Sequence, residues 1–388
     1  MAAPTFTAPA PTSAATLWRW ATPQAEQVLQ RRRLGEILKY HRMINGLSQT
    51  ALGAALGYDK TYISLLENGR RTILDLPSLR HIARTLALPA HALGATDPSD
   101  ADFAALLQFG DSTVRLAETA RQSGNAVDAV RELWSLVARL EARATDCHPE
   151  RAALALLARA RVGLGVALGH VLPEERLATA ARWTGSGVSL ARRLDDPAFH
   201  AYALRMHGNE LRKAGLHEAA LDRLHRACAL APTRTDRAAA LALLARAAGA
   251  ANRPSLFDEV VEEGRRLLDS AEHGSLFNAF ALHEIQLRGL AATSRTREAA
   301  GLLDRAPQAG AHTTAQWRII EHITVGQVLL RHGDSAAARE RLSAGLTGAA
   351  AHHLPHQLQR VLRASRSVPD LHEQASVALR DLEIGMAA

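Results

Sequence analysis

Residues 47–71 read LSQTALGAALGYDKTYISLLENGRR, with the punctuation of two short helices joined by a tight turn rather than of one long helix. Ser48 stands where its hydroxyl can accept a free backbone N–H two or three residues on, and the run 49–56 puts Leu52, Ala55 and Leu56 on one face. Gly57 then stops the first helix, since glycine adopts positive φ without steric cost. Asp59 is placed to cap a second helix over 60–68, whose Ile63 and Leu66 point inward. Lys60, Thr61, Tyr62 and Ser64 are left outward as hydrogen-bonding side chains, and Asn68-Gly69 ends the helix just before Arg70 and Arg71.

Working outward, 31–44 places Leu34, Ile37, Leu38 and the stem of His41 at helical spacing, and a further helix is expected to begin near Pro23 or Gln24. Trp18 and Trp20 lie before it and are expected to pack on the helices of this region. On the other side, 72–76 reads as a loop and Pro77-Ser78 as the start of a helix with Leu79, Ile82, Ala83 and Leu86 on its buried stripe. Pro89 ends that helix and Leu93 closes the core; the polar, proline-containing 95–102 reads as a linker.

The Ser-Gln, small residue, Gly, Ile-Ser and Glu-x-Gly-Arg pattern resembles the helix-turn-helix of the XRE (Cro/CI-like) transcriptional regulators, over about 31–93. The resemblance implies a five-helix, lambda-repressor-like DNA-binding domain whose second short helix enters the major groove with its first turn on base edges. Lys60 and Thr61 are then the base readers, with Tyr62 and Ser64 close behind, and Gln49, Asn68, Arg70 and Arg71 hold phosphates. The plainer alternative makes Gln49 and Asn68 helix caps and the arginines a solvated charge run. Leu65 departs from the pattern, which usually has a polar residue there, and packing against a partner is one use for it.

Charge agrees with this placement. The 388 residues carry a formal net charge of +7, and +6 of it falls within 31–94, where ten basic residues face four acidic ones. The polyanion-binding surface is therefore confined to one domain. The chain is long enough for two or more domains. Cys147 and Cys228, its two cysteines, have neither metal-ligand nor redox spacing, which suits a reducing cytoplasm. The Pro/Ala/Thr-rich start is expected to be a disordered tail over 1–22, and no run reaches the roughly 18 uninterrupted apolar residues of a membrane span, so a soluble, cytoplasmic protein is expected. Abundant Ala and Arg fit a GC-rich, actinobacterial source.

From Phe103 onward the apolar stripes recur at the helical period with no strand alternation, so the fold class is all-α. The stretch 206–232, MHGNELRKAGLHEAALDRLHRACALAP, resembles a tetratricopeptide repeat, with Gly208 at the close approach, Gly215 at the turn, Ala220 and Ala227 at the crossing and Pro232 at the end. Interhelical breaks at Gly124, Leu172-Pro173, Gly215, Arg253-Pro254, Ser294-Arg295 and Gly333 are spaced by 48, 43, 38, 42 and 38 residues. The expected architecture over 103–388 is a tetratricopeptide-like α-solenoid of about six helix pairs, with a C-terminal cap over 354–383.

In proteins that this repeat resembles, the inner groove would be lined by Tyr202, Arg205, Asn209, Arg212 and Lys213. Asn209 suits a peptide backbone and the three cations suit a carboxylate or phosphate; a solvated basic face is the alternative. Corresponding positions are Val162 and Val166, Leu243 and Ala247, Ile285 and Gly289, and Ile323 and Gln327, so a mostly apolar groove with one basic stretch is expected.

Enzymatic readings fail. His283-Glu284 opens like a zinc-protease helix, yet Leu287 stands where the second ligand belongs; His352, His353 and His356 lack an acidic or cysteine partner. No catalytic residues, metal or cofactor are expected. The sequence therefore reads as a dimeric, sequence-specific regulator of double-stranded DNA, with a peptide or small-molecule effector on its repeats. The alternative is a DNA-localised scaffold whose repeats dock a protein.

Overall fold

The computed structural model describes residues 22–387 apart from 89, 96–97, 147–149, 275, 306 and 308–313. The expected tail, with Trp18 and Trp20, lies outside the described residues except for Thr22, as does Cys147. All regular elements among the described residues are helices, and the chain parts into two compact units.

The first unit comprises Met1–Asp111, Val137–Leu157 and Arg193–Asp195. It holds α1 (Pro23–Gln30), α2 (Leu34–Ile44), α3 (Gln49–Leu56), α4 (Lys60–Glu67) and α5 (Leu76–Thr85). Each start of α3, α4 and α5 is fixed by a side chain that accepts an otherwise unbonded N–H: Ser48 from Ala51 (3.0 Å), Asp59 from Tyr62 (2.8 Å), Asp75 from Ser78 (2.9 Å). Between α3 and α4 Gly57 sits at φ +76°, a left-handed conformation that a side chain would make costly. Ile37, Leu38, Leu52, Ile63 and Ile82 are fully enclosed, each stabilising the unit by roughly 1.5–3 kcal/mol through lost apolar surface.

The stretch read as a linker is only partly so, because α6 (Pro98–Gln122) begins inside it. Proline belongs at a helix's first turn: its φ is already helical and the N–H that it lacks would have no partner there. α6, α7 (Ala126–Asp146) and α8 (Arg151–Val171) each contribute residues to both units. By length and composition α8 passes as a membrane span, but 72% of its apolar window is buried inside the protein, as in a core helix.

The second unit comprises Ser112–Leu136, Ala158–Arg192 and Asp196–Ala388. Its further helices are α9 (Leu177–Ala191), α10 (Pro197–Lys213), α11 (His217–Leu230), α12 (Arg234–Ala250), α13 (Pro254–Leu267), α14 (Ala279–Ala292), α15 (Thr296–Ala300), α16 (Ala315–His332), α17 (Ser335–Ala351), α18 (Pro355–Ala364) and α19 (Pro369–Ala387). A helical pair that cannot bury its apolar face alone does so against the next, and one apolar cluster accordingly runs from Val162 to Val328.

The repeat is visible in atomic detail. A Cβ on Gly208 of α10 would lie 2.5 Å from Leu224 Cγ of α11; on Gly326 of α16 it would lie 2.6 Å from Leu342 Cγ of α17. In both pairs the next residue met, after the same leucine's Cδ2, is an alanine through its carbonyl at 3.3 Å, Ala220 or Ala338. Only glycine lets these helices approach so closely.

The stack also joins back on itself. Gln359 Oε1 of α18 accepts from the Glu174 N–H (2.8 Å), Gln359 Nε2 donates to Glu175 (3.0 Å), and Arg363 Nη2 donates to Glu174 (2.7 Å).

Candidate functional site

At the start of α4 Lys60 and Thr61 are exposed, as side chains that meet base edges must be. Tyr62 is half-buried, its ring centroid 4.9 Å from that of Tyr58, with the Arg71 guanidinium 5.2 Å from its own. Two of its neighbours thus fix its position. Ser64 is half-buried and its carbonyl accepts from Asn68 Nδ2 (2.8 Å), so Asn68 caps α4. Leu65 is half-buried and Arg70 exposed.

Gln49 has a second engagement that the sequence reading lacked. Its Nε2 donates to Glu67 Oε2 (2.9 Å), while Arg42 grips the same carboxylate through Nε (2.7 Å) and Nη2 (3.0 Å). The Glu67 side chain is only 3% exposed. Burial pushes its carboxyl up, but the bonds from Arg42 and Gln49 outweigh this and hold it below the usual range. This triad ties α2, α3 and α4 together and holds the helix that presents Lys60 by its C-terminal end.

In the second unit a cavity of about 490 Å³ is lined by all five expected groove residues, Tyr202, Arg205, Asn209, Arg212 and Lys213. They are not a solvated face: Arg212 is 9% exposed. Nor is Asn209 free to meet a peptide backbone, since its Oδ1 accepts from Arg212 Nη2 (3.0 Å) and its Nδ2 approaches Glu210 (3.3 Å). Arg205 faces Asp236 (3.6 Å), and Lys213 lies against Glu210 (2.9 Å) and the Gly169 carbonyl (3.1 Å). Burial, only partly offset by Glu210, pushes Lys213 down to about 8.

The expectation of a single basic stretch is not met. Of the residues assigned to neighbouring repeats, Val166, Leu243 and Gln327 line the cavity, whereas Val162, Ile285 and Ile323 are enclosed in the core. One turn further along the helices stand Arg246 of α12 and Arg288 of α14, both on the cavity, joined by Arg360 of α18. The reason is geometric: residues three apart share a helix face, so Arg246 and Arg288 follow Leu243 and Ile285 on the same side. A solitary charge in the run 238–250, AAALALLARAAGA, was the available signal for Arg246. His356 of the His352–His353–His356 group is also buried on this cavity, and among the described residues no group of His, Cys, Asp and Glu is arranged to hold a metal.

Residues 33–95 match the helix-turn-helix domain family. Among solved structures, the chain is similar to Bacillus thuringiensis PlcR in complex with the peptide PapR7 and DNA. Identity is 13% and TM-score 0.31, over 90% of this chain and 99% of that one. A circular tandem repeat protein with novel repeat topology is likewise 13% identical, with TM-score 0.19, over 96% of this chain and 94% of its own. No curated protein matches the sequence. The first unit thus carries a helix-turn-helix domain of the DNA-binding kind.

Proposed function

We propose that this chain is a sequence-specific transcriptional regulator of the cytoplasm, bound to its operator as a homodimer, whose tetratricopeptide-like helices take up an effector that changes operator affinity. In this reading Lys60, Thr61, Tyr62 and Ser64 read bases, while Gln49, Asn68, Arg70 and Arg71 position the backbone. One head reads too few base pairs to be selective; two heads a helical turn apart multiply the selectivity.

The carrying observation is that a helix-turn-helix with exposed Lys60 and Thr61 shares its chain with a separate cavity of about 490 Å³ lined by charged side chains. That volume lies in the range of small-ligand sites and suits an effector better than the surface of a docked protein. Binding to genomic DNA fragments across a salt series is the test. Affinity is expected to fall steeply with salt, and Arg70→Ala with Arg71→Ala to reduce the log–log slope by about 2. Salt-independent binding would remove the DNA-reading role, and operator affinity indifferent to host extracts would remove the sensing role.

A further inference from the structure

The cavity's charges do not balance. Around its rim cations and carboxylates pair one to one: Arg121 with Glu118, Arg205 with Asp236, Arg363 with Glu174. Deeper in, five cations, Arg212, Lys213, Arg246, Arg288 and Arg360, face the two carboxylates of Glu210 and Glu284. Lys213 takes Glu210. Among the described residues Arg212 bonds only to Asn209, and Arg360 to Gln357 (2.7 Å) and Thr324 (3.3 Å), whose hydroxyl donates to Glu284 (2.8 Å). Arg246 lies over the Trp317 ring at 5.2 Å, and neither its Nε nor Arg288 Nη1 has a hydrogen-bond partner among the described residues, though both atoms are buried.

Such an arrangement opposes folding. Arg212 and Arg360 are 9% and 7% exposed, and taking a cation from water without a facing anion is costly. Burial, and then the mutual repulsion among these arginines, hold Arg212 and Arg360 well below their ordinary values. His170 and His356 add no charge at neutral pH, since burial keeps both rings neutral.

We propose that this cavity binds a small organic polyanion, with two or more negative charges, on Arg212, Arg246, Arg288 and Arg360. The proposal rests on the reading of this cavity as the effector site. Guanidinium forks match the paired oxygens of phosphate and carboxylate, and the excess of three cations requires more than the single carboxylate of a peptide terminus. The organic body is accommodated by Val166, Leu243, Trp317 and Ile320 on the same walls.

The test uses the full chain, melted and titrated calorimetrically at constant ionic strength with inorganic pyrophosphate, citrate or acetate. A saturable rise in melting temperature with pyrophosphate identifies phosphate chemistry and with citrate carboxylate chemistry; acetate is expected to give none. Arg246→Gln with Arg288→Gln should weaken binding about 10- to 100-fold, whereas Arg70→Ala with Arg71→Ala should leave it, which separates the cavity from the DNA face. Without ligand, Arg288→Gln should melt no lower than the parent, because it removes an unpaired cation; this single variant serves where the double variant does not fold. Absence of a saturable response to both polyanions, or a response that survives the cavity substitutions, overturns the ligand class. Polyanion binding that leaves operator affinity unchanged upholds the ligand class and removes the sensing role instead.

Discussion

Arg42 and Glu67, 25 residues apart in the chain, meet as a two-pronged pair with Nε–Oε1 and Nη2–Oε2 distances of 2.7 and 3.0 Å. The pair fastens the last residue of α4 to α2, on the side of the domain's core, while the first turn of α4 stays open to solvent. Orientation of Lys60 and Thr61, proposed above to read bases, therefore depends on residues that are not expected to touch DNA.

Glu67→Ala should destabilise the first unit by about 2–4 kcal/mol, because it leaves the Arg42 guanidinium without its carboxylate and frees Gln49. The operator should lose more affinity than random DNA in this variant, because base reading needs α4 held in place while non-specific binding rests on phosphates. Denaturant unfolding followed by paired binding measurements checks both parts; equal loss on both would show that Glu67 supports the fold without orienting the residues proposed to read bases.

Lys60→Ala and Thr61→Ala should relax preference at one or two operator positions, each by roughly 1–3 kcal/mol of discrimination, with little change in stability for two exposed side chains. Selection of bound sites from random DNA reads this out. An unchanged motif for Lys60→Ala would shift base reading to Tyr62 or Ser64.

Gly208→Ala should cost about 1–3 kcal/mol, since its new methyl would stand 2.5 Å from Leu224 Cγ and the α10–α11 approach would have to widen. Gly326→Ala meets the same obstacle at Leu342 and should cost a similar amount. Thermal melts of the two variants side by side test the equivalence; a neutral result at either site would show that its leucine swings away freely.

His207 gives an acid limb to stability. Burial, reinforced by Arg223, pushes its ring down to about 4, and Nδ1 lies 3.0 Å from Thr184 Oγ1. Between pH 6.5 and 4 the unfolded chain takes up a proton that the folded chain does not, so stability falls as pH drops through that window. His207→Gln should lessen the loss by on the order of 1–2 kcal/mol near pH 4, after allowance for partial solvent access. Identical pH profiles for the two proteins would refute it.

What could be read from the sequence follows the range of the interactions responsible. Ser48, Gly57 and Asp59 act within one turn of themselves, so the two short helices and their joint were legible residue by residue. Pro98 misled because one residue type marks both linkers and helix starts, and only the following turns show which. Among the cavity residues, 202–213 were legible through a repeat motif. Arg288 and Arg360 were not, because what brings them together is the packing of α14 and α18 about α16, whose Thr324 joins Arg360 to Glu284.

The return of α18 to the turn after α8 has a consequence for how the chain folds. In an open array each helix pair waits only for its neighbour, so order can spread from any point and the ends can fray independently. The grip of Arg363 on Glu174 spans 189 residues, and a contact so distant cannot repay the entropy of closing its loop until the intervening pairs are in place. It therefore belongs to the last step of folding, and with it a one-dimensional stack becomes a cycle whose two ends no longer melt apart separately.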